Sequence, residues 1–156
     1  MNLASPNQIE RMNALRLTAE DHRVQFIAEE LRKALTADDT AQRAECCATV
    51  VSTDIGKLEI HLHGATVIAR LEYLLSDDES LGGRYEFFLV REDVLGDKTA
   101  ESLGVMEFDP QGKLRFGDSG DWTAQILNNA PYAGRIRNLI LGNIAFWVQQ
   151  RMARLA

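Results

Sequence analysis

Glu59-Ile60-His61-Leu62-His63 is the stretch whose residue types come closest to chemistry. Alternate residues of a strand share a face, so a carboxylate and two imidazoles would stand in line about 7 Å apart, a spacing some metal sites use. A neutral imidazole serves as a metal ligand or a general base, and a neighbouring carboxylate completes or orients it. A catalytic metal also needs a third strong ligand. The hairpin fitted below instead sets Ile68 and Thr66 opposite the histidines and Arg70 opposite Glu59. The segment therefore reads first as the solvent face of a hairpin. Its second reading is a metal or acid/base set of Glu59, His61 and His63, closed by another strand. His22, the third histidine, falls on the polar side of a helix.

Other constellations carry less. Arg135, Arg137 and Asn138 lie in the first turns of the last helix, where two guanidinium groups and free backbone N–H groups could take a carboxylate or a phosphate. Pairing with Asp118, Asp121 or the acidic body of the chain is the plainer expectation. Ser119 sits in Gly117-Asp118-Ser119-Gly120, but Asp121 breaks the nucleophile-elbow pattern, so a polar turn explains it. Cys46 and Cys47 are adjacent, and no second pair exists to build a zinc site. Asp77-Asp78-Glu79 reads as a solvated loop tip. No phosphate-binding glycine loop is present, and no cofactor is expected.

The elements that must position these residues follow from periodicity. Ser5-Pro6-Asn7-Gln8 is a helix start with Ser5 as cap and Pro6 in the first turn. Helix is predicted over 6–36, broken near Thr18, where Thr18-Ala19-Glu20-Asp21 offers a second cap. Val24, Ile27, Ala28, Leu31, Ala34 and Leu35 then trace one buried face. The period changes to two in the middle of the chain. A turn at Gly64-Ala65 would pair Glu59 with Arg70, Lys57 with Glu72, Leu58 with Leu71 and Leu62 with Val67. Asp109-Pro110-Gln111-Gly112-Lys113 closes a second hairpin, pairing Phe108 with Leu114, Met106 with Phe116 and Glu107 with Arg115. Asp54-Ile55-Gly56-Lys57 turns Glu45–Thr53 into Lys57–His63. Tyr85–Arg91 is apolar on both faces and reads as a central strand. Ser76–Gly83 reads as a polar loop, and Glu92–Ser102 as a loop or short helix. Asn129-Ala130-Pro131 opens a last helix over 131–154, apolar around most of its girth.

One α+β domain over 1–156 results: helical 6–36, a sheet over 45–117 and a C-terminal helix. The sheet has five to six antiparallel strands joined mostly as a meander, with both terminal helices on one face. At 156 residues and 46% apolar composition the chain can bury one ordinary core. Its longest apolar run, Leu139–Val148, is half a membrane span, and the first 20 residues show no secretory leader, so a cytoplasmic protein off the membrane is expected. The net charge is −6, with every carboxylate at or before Asp121 and four arginines after it. That acidic body disfavours nucleic acid. The arginine-rich, lysine-poor composition fits a bacterial gene.

Helix–sheet–helix order, size and acidity together resemble bacterial secretion chaperones and immunity-type proteins, in architecture alone. The resemblance implies a non-enzymatic adaptor, chaperone or immunity-type protein that binds a protein partner or a second copy. The surfaces expected to carry this are the outer sheet face (Ile68, Phe88, Val90) and the last helix (Leu141, Phe146, Val148). The alternative is a small ligand-binding or metal-dependent enzyme domain with its pocket between the sheet and the last helix.

Overall fold

The computed structural model describes residues 5–36, 48–117, 122, 124–125 and 133–155. Among the described residues three helices, α1 (Gln8–Thr18), α2 (Asp21–Thr36) and α3 (Ala133–Gln149), accompany seven strands. These are β1 (Thr49–Asp54), β2 (Lys57–Leu62), β3 (Ala65–Leu75), β4 (Leu81–Glu92), β5 (Lys98–Phe108), β6 (Lys113–Phe116) and the two-residue β7 (Ala124–Gln125). Every strand pairs antiparallel with its neighbour in sequence, giving a single meander β1 to β7. The α+β class and the meander are those expected.

α2 forms for the reason its periodicity implies: all six residues of its stripe are buried. They pack on one sheet face with Leu58, Ile60, Val67, Tyr85, Phe87, Met106 and Leu114. α3 covers the same face. Trp147 stacks against Phe87 at 5.9 Å between ring centroids and meets Phe116 at 6.3 Å. It can lie this close because β5 presents Gly104 beneath it, where an added Cβ would stand 2.8 Å from the indole. After α3, Arg151 bonds Glu101 Oε1 at 3.1 Å and the Ser102 carbonyl at 3.3 Å, which ties the end of the helix to β5.

Three hairpins share one turn. In Ser76–Ser80, Asp93–Asp97 and Asp109–Lys113 the first residue's N–H donates to the fifth residue's carbonyl, at 2.9, 2.9 and 3.0 Å. The fourth residue (Glu79, Gly96 or Gly112) is left-handed in each. The first side chain accepts from the loop backbone: Asp93 Oδ1 from Leu95 and Asp97, and Asp109 Oδ1 from Gln111 and Lys113. This is a three-residue loop closed by a left-handed residue and locked by a side-chain acceptor.

Four expectations are corrected. The β2–β3 turn is His63-Gly64, not Gly64-Ala65, and the register shifts by two: Glu59 faces Ile68, His61 faces Thr66, Lys57 faces Arg70 and Leu58 faces Ala69. A two-residue turn of matching twist needs positive φ at both central residues, and His63 (52°) and Gly64 (71°) supply it. A shift of two leaves the side chains still in the strands on their expected faces; His63, now in the turn, is the exception. Leu81–Gly83 and Lys98–Ser102 are strand rather than loop, because tight turns let β4 and β5 run longer. The N-cap of α1 is Asn7, not Ser5: Asn7 Oδ1 accepts from Glu10 N at 2.8 Å while Glu10 Oε1 accepts from Asn7 N at 3.2 Å. Finally, α1 holds no buried residue, so of the N-terminal helical region only α2 builds the core. The second hairpin has the predicted register, Glu107 facing Arg115. Cys46, Cys47 and Ser119 lie outside the described residues, and among those described no helix is long and apolar enough to cross a membrane.

Candidate functional site

The sheet places the sequence-derived candidates in different surroundings. Glu59 and His61 stand on the outer face, with His61 Nε2 3.8 Å from Glu59 Oε2 and His61 Nδ1 3.3 Å from Thr66 Oγ1. His63 has left the strand for the turn. There its Nε2 faces the Gln149 amide of α3 at 3.1 Å, on the side where the helices lie. The turn thus separates the two imidazoles. Among the described residues no three His, Cys, Asp or Glu side chains come together as a metal would need.

The arginines of α3 diverge as well. Arg135 and Asn138 are exposed, whereas Arg137 is 4% exposed. Residues two apart on a helix face different ways. Arg137 Nε donates to the Leu35 carbonyl at 3.3 Å and Nη2 to the Ala48 carbonyl at 3.4 Å. A guanidinium at the last carbonyls of α2 meets the negative end of that helix and ties α2, α3 and the entry to β1 together. Its Nη1 is buried and makes no hydrogen bond among the described residues.

The apolar candidates divide by burial. Leu141 and Val148 are each 2% exposed and belong to the chain's own core, so they are removed from the expected interface, while Phe146 is 58% exposed. On the sheet, α2 and α3 both pack on the inner face. The outer face carries Val51, Glu59, Ile68, Phe88 and Ser102 across one row and His61, Thr66, Val90 and Ala100 across the next. Val51 is half exposed and Ile68, Phe88 and Val90 are half-buried, an apolar patch with no helix on it among the described residues.

A further row runs along the same face. Glu72, Arg84, Glu107 and Arg115 face one another across four successive strands. Arg84 Nη2 bonds Glu72 Oε2 at 2.7 Å, and Arg115 bonds Glu107 Oε2 through Nε (2.9 Å) and Nη2 (2.6 Å). Glu107 is 7% exposed, and the Arg115 guanidinium lies 4.6 Å from the Trp122 ring centroid. Arg84, Glu107, Arg115 and Trp122 line an open cleft of about 820 Å³ that the Ser76–Ser80 and Asp109–Gln111 turn residues flank. Alternating charge makes this row self-neutralising, and the cleft beside it adds an indole wall and the side chains of Glu20, Asp77, Asp78 and Asp109. Sequence reasoning reached only its Glu107–Arg115 pair, through the hairpin register. The β3–β4 pairing that sets Glu72 opposite Arg84 was not reached, because Ser76–Gly83 between the two strands was read as a loop.

Large apolar side chains also stand exposed away from the sheet. Ile9, Met12 and Leu15 of α1 are 71, 63 and 70% exposed. Val94 and Leu95 sit at the tip of the β4–β5 hairpin, 102 and 84% exposed. Comparison with protein-family models, with curated proteins and with solved structures gives no match.

Proposed function

We propose that this is a non-enzymatic bacterial interaction protein, cytoplasmic and of adaptor, chaperone or immunity type, which works by docking its outer sheet face on a protein surface. The observation that supports it most is the placement of both packing helices on one sheet face. Val51, Ile68, Phe88 and Val90 are left in two adjacent rows on the other. Ile68, Phe88 and Val90 are contiguous and rimmed by Glu59, His61, Arg70 and Glu86, with Val51 beyond Glu59, so the face has an apolar centre and a polar rim as protein interfaces do. The occupant is a partner protein or a second copy. Light scattering on the purified chain, with Phe88→Asp and Ile68→Asp beside it, tests the second-copy version. Photo-cross-linking from position 88 in the native cell tests the partner version. Adducts that form at 88 and not at Lys113 support the reading; a strict monomer with no adduct at 88 contradicts it.

The cleft favours one other reading, a domain that binds a small polar ligand against Trp122 and Arg115. Its pocket lies at the turn-bearing end of the sheet, not between sheet and α3. A ligand-induced rise in melting temperature that Trp122→Ala removes would support it. No shift with any polar ligand would leave the docking reading alone.

A further inference from the structure

We propose that the cleft at the turn-bearing end of the sheet binds a small organic cation, one that carries a guanidinium or primary ammonium group on an apolar stem. This rests on the ligand-binding reading above and names the chemistry of its ligand. Charge supplies the first observation. Five carboxylates line the cleft, those of Glu20, Asp77, Asp78, Glu107 and Asp109, against the two guanidinium groups of Arg84 and Arg115. Both arginines bond to carboxylates, Arg84 to Glu72 and Arg115 to Glu107, while Arg23 reaches the rim and donates to the Pro110 carbonyl at 2.7 Å. With Glu72 and Arg23 counted, acids still exceed bases by six to three. Neutral donors hold three of the other carboxylates, which fixes a negative charge without cancelling it. Glu20 Oε2 accepts from Leu81 N at 2.8 Å, and Asp109 Oδ1 accepts from Gln111 N and Lys113 N. Ser76 and Ser80 donate to Asp78 and keep its carboxyl below the usual carboxylate value.

The second observation is that the cleft already holds one cation in this manner. The Arg115 guanidinium bonds the buried Glu107 carboxylate at 2.6 Å and lies over Trp122, 4.6 Å from the ring centroid. A carboxylate beside an indole face suits guanidinium and ammonium groups alike. Neither part is used up. Trp122 is 42% exposed. Both bonds from Arg115 fall on Glu107 Oε2, and Oε1 of this 7% exposed residue accepts none among the described residues. Leu74, Leu75 and Pro110 add apolar wall for the stem of the ligand. A bare metal ion suits the cleft less, because no three His, Cys, Asp or Glu side chains among the described residues come close enough together to hold one. Carboxylates spread around about 820 Å³ match an extended cation instead.

Calorimetric titration of the full chain tests this. The probes are agmatine, a free amine with guanidinium and ammonium ends on an alkyl stem, and N-acetyl-arginine amide, which stands for an arginine displayed on a protein. Glutamate and phosphate at matched ionic strength are the anionic controls. Saturable binding of either cation, tighter than that of the anions and weakened by sodium chloride, is expected. Trp122→Ala, and separately Asp77→Asn with Glu20→Gln, should each lower the affinity about two- to fivefold while leaving the melting temperature of the free protein in place. Glutamate or phosphate bound in preference, and lost with Trp122→Ala, overturns this inference and leaves the ligand-binding reading standing. Cation binding that neither variant weakens overturns it as well, because the acidic surface at large would then be the binder. Magnesium that displaces agmatine where sodium of equal ionic strength does not overturns it in favour of a metal. No binding of any probe overturns this inference and the ligand-binding reading together.

Discussion

α1 and α2 follow one another with only Ala19 and Glu20 between them, and they are built by opposite means. α2 buries six apolar side chains and is held by packing. α1 buries none and is held at its N-terminal end by the reciprocal bonds of Asn7 and Glu10. Both carry apolar residues at helical spacing, Ile9, Met12 and Leu15 in α1 and Val24 to Leu35 in α2. The difference is where the stripe points: toward a sheet for α2, and toward no described part of this chain for α1. A helix built by packing belongs to the fold, whereas one built by capping, with its apolar ridge outward, is available to something else.

The comparison breaks most readily at the core. Leu31→Ala in α2 and Phe87→Ala beneath Trp147 should each cost about 2–5 kcal/mol in denaturant unfolding. Met12→Ala in α1 should stay within about 0.5 kcal/mol in dilute protein. Equal costs at Leu31 and Met12 would erase the distinction. Glu107→Ala removes a buried carboxylate from under Arg115 and should cost about 1–3 kcal/mol. Its effect should largely vanish in an Arg115→Ala background, as a double-mutant cycle would read.

Tyr85 sharpens the comparison through pH. Its phenol donates to the Ile55 carbonyl at 2.7 Å. Burial, with a smaller push from the Glu29 carboxylate, raises its pKa above the ordinary tyrosine value. A group whose folded pKa is raised supports the fold fully below its unfolded pKa, near pH 10, and loses that support as pH climbs toward the folded value. The melting temperature should therefore fall above pH 10, and Tyr85→Phe should flatten part of that fall. Tyr73→Phe, at an exposed position, should not. A smaller effect belongs to Asn7→Ala, which removes the cap of α1 at about 1 kcal/mol of local helix stability. Far-UV circular dichroism should report lost helix while the global transition stays in place. Smallest of all is the response to zinc, manganese or nickel, where separation of His61 from His63 predicts no change in melting temperature.

Much of the fold was legible because both sheet faces and α2 obey simple periods. The limits are physical. The β2–β3 register slipped because paired charges argued for one alignment, whereas the turn demanded two left-handed residues, and His63-Gly64 met that demand. Asp109-Pro110-Gln111-Gly112 was read as a hairpin turn, but Asp93-Val94-Leu95-Gly96, which has the same acceptor and the same left-handed fourth residue, was not. Its two central residues are apolar, and an exposed apolar tip runs against expectation. Leu141, Val148 and Arg137 show that burial on a helix with apolar residues around most of its girth depends on which elements surround it. One chain's periodicity does not tell that. The apolar outer-face residues Ile68, Phe88 and Val90 were legible because strand alternation alone assigns the face.

Photo-cross-linking from position 88 tests most directly whether the outer sheet face is there to be covered. The account predicts adducts from position 88 that Ile68→Asp removes, and none from position 113 on a turn. No adduct at 88, or equal adducts at both positions, would contradict it.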